Sequence, residues 1–157
     1  MKTLSALLLM LVAFAAHAIQ PGDTLETWTL KDQFDEPYTL SPDTRILLIA
    51  RSMTGSGLLD DALANKPEEY LPQRHAVFIG DIHRMPSAIT KMFAIPAMKD
   101  YSYRVLLDRD GAIAARYPGD NDSVLWLQLE EGKLVSQQTF ADADALYDAL
   151  EAAPVEP

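Results

Sequence analysis

Apolar and polar positions alternate along residues 24–30, TLETWTL, as they do in a strand with one face buried. The cluster KDQFDEP that follows is rich in turn formers, and YTL returns as a second short strand. RILLIA, residues 45–50, is a continuous apolar run of strand length, which suits a strand covered on both faces. A Gly- and Ser-bearing loop, RSMTGSG, comes next, and residues 58–64 read as a helix that stops before Pro67. HAVFIGDI is a second central strand. Pro86 then stands where a helix can begin, since its missing amide hydrogen has no partner in a first turn anyway. Ile89, Met92, Phe93 and Met98 give that helix an apolar stripe, which Pro96 interrupts. YRVLLD is a third such strand, and GAIAARY fits helix and strand equally. VLWLQLE, the turn EGK and LVSQQTF make a hairpin, in which the side taken by Trp126 depends on register. DADALYDALEA closes the chain as an amphipathic helix, with Asp142 or Asp144 as its N-cap.

Strands alternating with helices, then an antiparallel hairpin and a final helix, describe a mixed sheet packed between helices. No internal repeat divides the chain, so residues 19–152 are expected to form one domain and residues 153–157 a flexible tail. The first residues concern the compartment. Lys2, the apolar run LSALLLMLVAFAA and the small residues AHA fit a secretory signal cleaved after Ala18. The run is short for a bilayer span, though a retained anchor is the competing reading. The mature chain then starts at Ile19 and is expected in the periplasm, with no membrane insertion after cleavage.

Charge and cysteine count narrow the chemistry. A formal net charge of −10 repels nucleic-acid phosphates and anionic headgroups, so neither is an expected partner. The chain has no cysteine, hence no disulfide, no thiolate nucleophile and no thiolate metal ligand. The core alone must hold the fold.

The element order resembles the thioredoxin-like fold in its peroxiredoxin and TlpA-like form. GDTLETWTLKDQFDEPYTLS, residues 22–41, is similar to that group's lead-in hairpin, G-x-x-x-P-x-f-x-L-x-d-x-x-G-x-x-x-x-L. RILLIARSMTGSG and YRVLLDRDGAIAARYP continue the likeness ahead of the last hairpin and helix. Glu26 or Thr27 falls where a proline is usual, and Glu36 where a glycine is. The resemblance implies an α/β three-layer sandwich, with a central mixed sheet, helices on both faces and an N-terminal β-hairpin extension. Laying MTGSG over the family's WCGPC puts Thr54 and Gly57 at the two cysteine positions, with Gly55 matching and Ser56 replacing proline. The family's cis-proline before the final hairpin is also missing, since GDNDSVLW has no proline between Pro118 and Val124. A redox-inactive, non-catalytic binding or accessory protein is the expectation, with no cofactor.

Parallel strands in such a sheet end at one edge, where ligands tend to bind. Those ends carry Arg51, Ser52 and Thr54, then Asp81, His83 and Arg84, then Asp108 and Arg109. The amides of residues 54–57, including Gly55 and Ser56, are candidates to bind an anion, with Arg51 or Arg84 as its charged partner. The expected partner is a periplasmic protein or a small anionic ligand; the plainer alternative is that these are solvated strand ends whose Asp and Arg pair with each other. A thiol-independent enzyme, hydrolase or metal-assisted, is the other functional class, using the rim of His83, Asp81 and Ser52. As a hydrolase it would take Ser52, Thr54 or Ser56 as nucleophile, His83 as base and Asp81 or Asp108 as orienting acid. MTGSG is not the G-x-S-x-G turn of hydrolases, however. DRDG, residues 108–111, starts like a calcium loop, but the twelfth position holds Gly119 where glutamate is needed. His75 and His83 lie at opposite ends of one strand, too far apart to share a zinc ion. Trp28 and Tyr38 can pair across the lead-in strands.

Overall fold

A computed structural model of the protein describes residues 18–156. The expected signal segment, residues 1–18, lies outside that range except for Ala18. One seven-stranded mixed sheet organises the chain, in the order β2-β1-β5-β4-β3-β6-β7. The strands are β1 (Thr29–Asp32), β2 (Pro37–Thr39), β3 (Ile46–Ala50), β4 (Ala76–Asp81), β5 (Leu106–Asp108), β6 (Val124–Glu130) and β7 (Lys133–Phe140). β3, β4 and β5 run parallel, while β6 lies antiparallel to β3 on its other side. Every residue of β3 is buried, as its unbroken apolar run predicts for the centre of a two-sided sheet.

Alternation along β3 divides the core. Ile46, Leu48 and Ala50 face one cluster with α1 (Met53–Ala62) and the closing helix Ala143–Ala152. Leu47 and Ile49 face a second cluster, covered by Leu25, Trp28 and the short 3₁₀ turn Ala114–Arg116. Helical segments therefore lie on both faces, but unequally: GAIAARY supplies one 3₁₀ turn where the opposite face has full helices. Trp126 is buried on the first face, which settles its register, and Trp28 meets Tyr38 at 6.3 Å between ring centroids.

Four sequence expectations are corrected. The alternating segment 24–30 splits between two partners, because residues 22–25 bond to the β6–β7 turn instead of to β2. Gly22 N donates to Leu134 O and Leu25 N to Gly132 O, leaving β1 to begin at Thr29. α1 begins at Met53, five residues before Leu58, because Ser52 caps it with its hydroxyl. The third correction concerns Pro96, which does not break its helix. α2 (Ser87–Ile89) passes through a π-helical stretch, Thr90–Ala94, into α3 (Ile95–Met98). The wider turn makes room for the proline ring, which would otherwise strike the carbonyl four residues back. The extra residue also shifts the helix face, so Thr90 and Met98 are buried while Ile89, Met92 and Phe93 are exposed. Finally, the tail is tied down at Glu156, whose amide donates to Gln73 O and whose carboxylate meets Arg45 and His75.

Among the described residues no helix is long and apolar enough to cross a membrane.

Candidate functional site

Ser52, directly after β3, builds the start of α1. Its hydroxyl accepts from Gly55 N at 3.2 Å and donates to Asn121 O at 2.6 Å. One residue thus caps the helix and fastens the loop 120–123 across its first turn. Gly55 permits that closure: a β-carbon there would lie 2.8 Å from Ser123 O and 3.3 Å from Asn121 O. Thr54, at the first cysteine position, is exposed, and Ser56 is half-buried with its amide bonded to Ser52 O. Gly57, at the second cysteine position, faces open space: beyond its own stretch of helix, no atom lies within 4 Å of where a β-carbon would stand.

Arg51 points the other way. Its Nη2 donates to Ala114 O at 2.9 Å and to Tyr117 O, so the guanidinium ties the 3₁₀ turn to the end of β3. Nη1 is buried with no hydrogen-bond partner among the described residues and packs against Gly119. Burial pulls this guanidinium below its ordinary pKa, and the charges of Asp81 and Asp120 oppose the shift. Arg51 therefore does not stand at the helix start as partner to an anion. The carbonyls of Asn121 and Ser123 packed on that first turn, with the Gly55 amide already capped, leave little there for an anion to bind.

At the end of β4, His83 Nδ1 lies 2.5 Å from Asp81 Oδ1, and the His83 amide donates to the same oxygen at 3.2 Å. The imidazole covers Gly111, where φ is +69° and a β-carbon would come within 2.6 Å of the ring; only glycine fits. Asp81 thus engages the Nδ1 side of the ring, and Nε2 makes no hydrogen bond among the described residues. No serine or threonine hydroxyl hydrogen-bonds to it among the described residues, and Ser52 is engaged elsewhere, so the triad expected of a hydrolase is not assembled. Asp108 is also committed: its buried carboxylate accepts from Ile113 N at 2.9 Å and Ala114 N at 2.7 Å. It shapes the 3₁₀ turn and does not open a calcium loop. Among the described residues no group of three or more His, Asp or Glu could hold a metal ion.

The edge thus brings Ser52 and Gly55 together with Asn121 and Ser123, and Asp81 with His83. Arg84 is exposed and enters no ion pair among the described residues. The same edge exposes large apolar side chains, three of them from the helical apolar stripe read in the sequence. Met53 is 72% exposed, Met92 68%, Phe93 62% and Ile89 46%. Only the outward-facing π-helical register distinguishes the last three from core, and a sequence carries no direct signal for that register.

No family model matches the chain, and no curated protein matches it in sequence. Solved structures do. The chain is similar to the peroxidoxin BcpB of Mycobacterium tuberculosis, with a TM-score of 0.56 and 18% identity over 85% of this chain and 95% of that one. It is similar to a thio-disulfide isomerase from Thermus thermophilus, with a TM-score of 0.54 and 23% identity over 88% and 100% of the two chains. The thioredoxin domain of a thiol-disulfide oxidoreductase from Bacteroides vulgatus gives 0.55 and 17% over 85% and 97%. At these identities the likeness is one of fold. This chain has the thioredoxin-like fold and carries no cysteine.

Proposed function

We propose that the protein is an exported, non-catalytic binding protein of the periplasm, which meets a partner protein with the sheet edge around Ser52–Ser56 and Arg84. The observation that carries this reading is the set of exposed apolar side chains, Met53, Ile89, Met92 and Phe93, gathered on the segments that follow β3 and β4. Ile89, Met92 and Phe93 are neighbours on one helical segment, and exposed apolar patches bordered by polar groups mark interaction surfaces. Between Ile82 and Lys99 the chain has no acidic residue, although it has 23 overall, so Arg84 and Lys91 stand in a locally basic stretch that Asp81 and Asp100 bound. A partner presenting an apolar patch with an acidic border fits it. Without a thiol, the edge has no means of disulfide exchange. The N-terminal apolar run ending in AHA supports export.

Photo-crosslinking in the periplasm tests the reading. A benzophenone side chain at position 92 is expected to give one discrete adduct that Arg84→Glu abolishes. The same group at Val135, exposed on β7, is expected to give none. Equal labelling from both positions, or no adduct at 92, overturns the docking surface. N-terminal sequencing of the secreted protein is expected to begin at Ile19; an intact Met1 overturns export by cleavage.

A further inference from the structure

At the opposite edge the sheet has a gap. β5 is only three residues long and starts opposite Ile79, so Ala76 to Phe78 of β4 have no strand beside them on that side. Gln33 bridges the gap. Its Nε2 donates to Tyr103 O at 3.0 Å and Met98 O at 3.3 Å, and its Oε1 accepts from Val105 N at 2.9 Å. Between the β1–β2 hairpin and the segment leading into β5 this leaves a cleft of about 850 Å³, within the range of small-molecule sites.

The lining has a definite chemistry. Tyr101, half-buried, stacks at 4.9 Å on the buried Tyr103, which meets the buried Phe78 edge-on at 6.2 Å, so of this aromatic wall mainly Tyr101 faces the cleft. Glu36, Asp43 and Glu68 stand exposed around it, and none enters an ion pair among the described residues. The two basic side chains on the lining are already paired. Arg104 Nε lies 2.7 Å from Asp32, and His75 Nε2 lies 2.8 Å from Glu156. Uncompensated carboxylates and aromatic ring faces both attract positive charge, while the rings gain from covering an apolar body. An anion meets no unpaired basic side chain on this lining among the described residues.

We propose that this cleft binds a small organic cation with an apolar body, its charge set toward Glu36, Asp43 and Glu68 and its body against Tyr101, which Tyr103 and Phe78 back. This site is separate from the docking edge and stands or falls independently of it.

Titrating the full chain with benzyltrimethylammonium, benzyl alcohol and benzoate, followed by calorimetry and amide chemical shifts, tests the assignment. The cation is expected to bind at least tenfold tighter than the alcohol, with shifts centred on Phe78, Tyr101 and Tyr103, and benzoate is expected not to bind. Asp43→Asn combined with Glu68→Gln removes two exposed carboxylates that make no hydrogen bond among the described residues. That variant is expected to keep its melting temperature and the alcohol's affinity while losing at least fivefold in affinity for the cation. No binding of the cation, equal binding of cation and alcohol, shifts centred elsewhere, or an unchanged affinity in the double variant each overturns the proposal.

Discussion

Two glycines in α1 look alike in the sequence and differ in the fold. Gly55 lies under the carbonyls of Ser123 and Asn121, and Gly57 faces open space. Gly55→Ala is expected to destabilise the protein by about 1–3 kcal/mol, because backbone oxygens must shift to admit the methyl group. Gly57→Ala is expected to be neutral or to stabilise by up to about 1 kcal/mol, since it only removes unfolded-state freedom from a helical position. Urea titration of the two variants checks the contrast, and equal effects would contradict the packing described for the first turn. The resemblance read in the sequence lays residue 57 over a cysteine; the fold adds that, among the described residues, nothing beyond its own stretch of helix comes within 4 Å of a β-carbon there. Ser52 was legible only as a polar residue near the strand end. Its actual partner, Asn121, is distant in sequence, so no local pattern reveals the contact.

Elements were legible in kind and less so in extent. The lead-in hairpin is held by Asp32, whose carboxylate accepts from Phe34 N at 2.8 Å and Glu36 N at 2.9 Å, and from Arg104 at 2.7 Å. Burial by itself would raise the pKa of Asp32, but the amides of Glu36 and Phe34, with Arg104, outweigh it and hold the group below the usual carboxylate value. A carboxyl with a lowered folded pKa contributes stability that is fully present above its unfolded value of about 3.9. That stability is lost as pH falls through the lowered folded value. Asp32→Asn is therefore expected to cost about 1.5–3 kcal/mol at pH 7 and to flatten the stability profile below about pH 4, measured by urea titration across pH. An unchanged acid limb would remove Asp32 from that role. The α2–α3 segment was legible as helix, yet its exposed face was not, because a π-helical turn changes phase without a composition signal.

At the scale of the whole molecule, stability must come from two apolar layers on one sheet, since no covalent cross-link is available. Leu48→Ala, at a fully buried site in the central strand, is expected to cost about 2–5 kcal/mol. Adding a thiol reductant is expected to leave the melting temperature unchanged. Calorimetric scans with and without reductant check both points, and a reductant-dependent shift would contradict a fold held by its core alone. The two opposed edges differ in character. One exposes Met53, Ile89, Met92 and Phe93 near Arg84, and the other holds a cleft bordered by exposed Glu36, Asp43 and Glu68.

The sequence by itself determined the element order and the absence of thiol chemistry, because apolar period and residue type are local properties, while the thioredoxin-like topology was what the resemblance implied. It also placed Arg51, Ser52, Thr54, Gly55, Ser56, Asp81, His83 and Arg84 near one edge, through the parallel course of their strands. Tertiary structure decided what several of them do there. Arg51 turns beneath the 3₁₀ turn, Ser52 bonds to Asn121, and His83 pairs with Asp81 over Gly111. It also turned Met92 and Phe93 outward and opened the aromatic cleft behind a strand of three residues. These outcomes depend on contacts between segments far apart in the chain, and such contacts exist only once the sheet has formed.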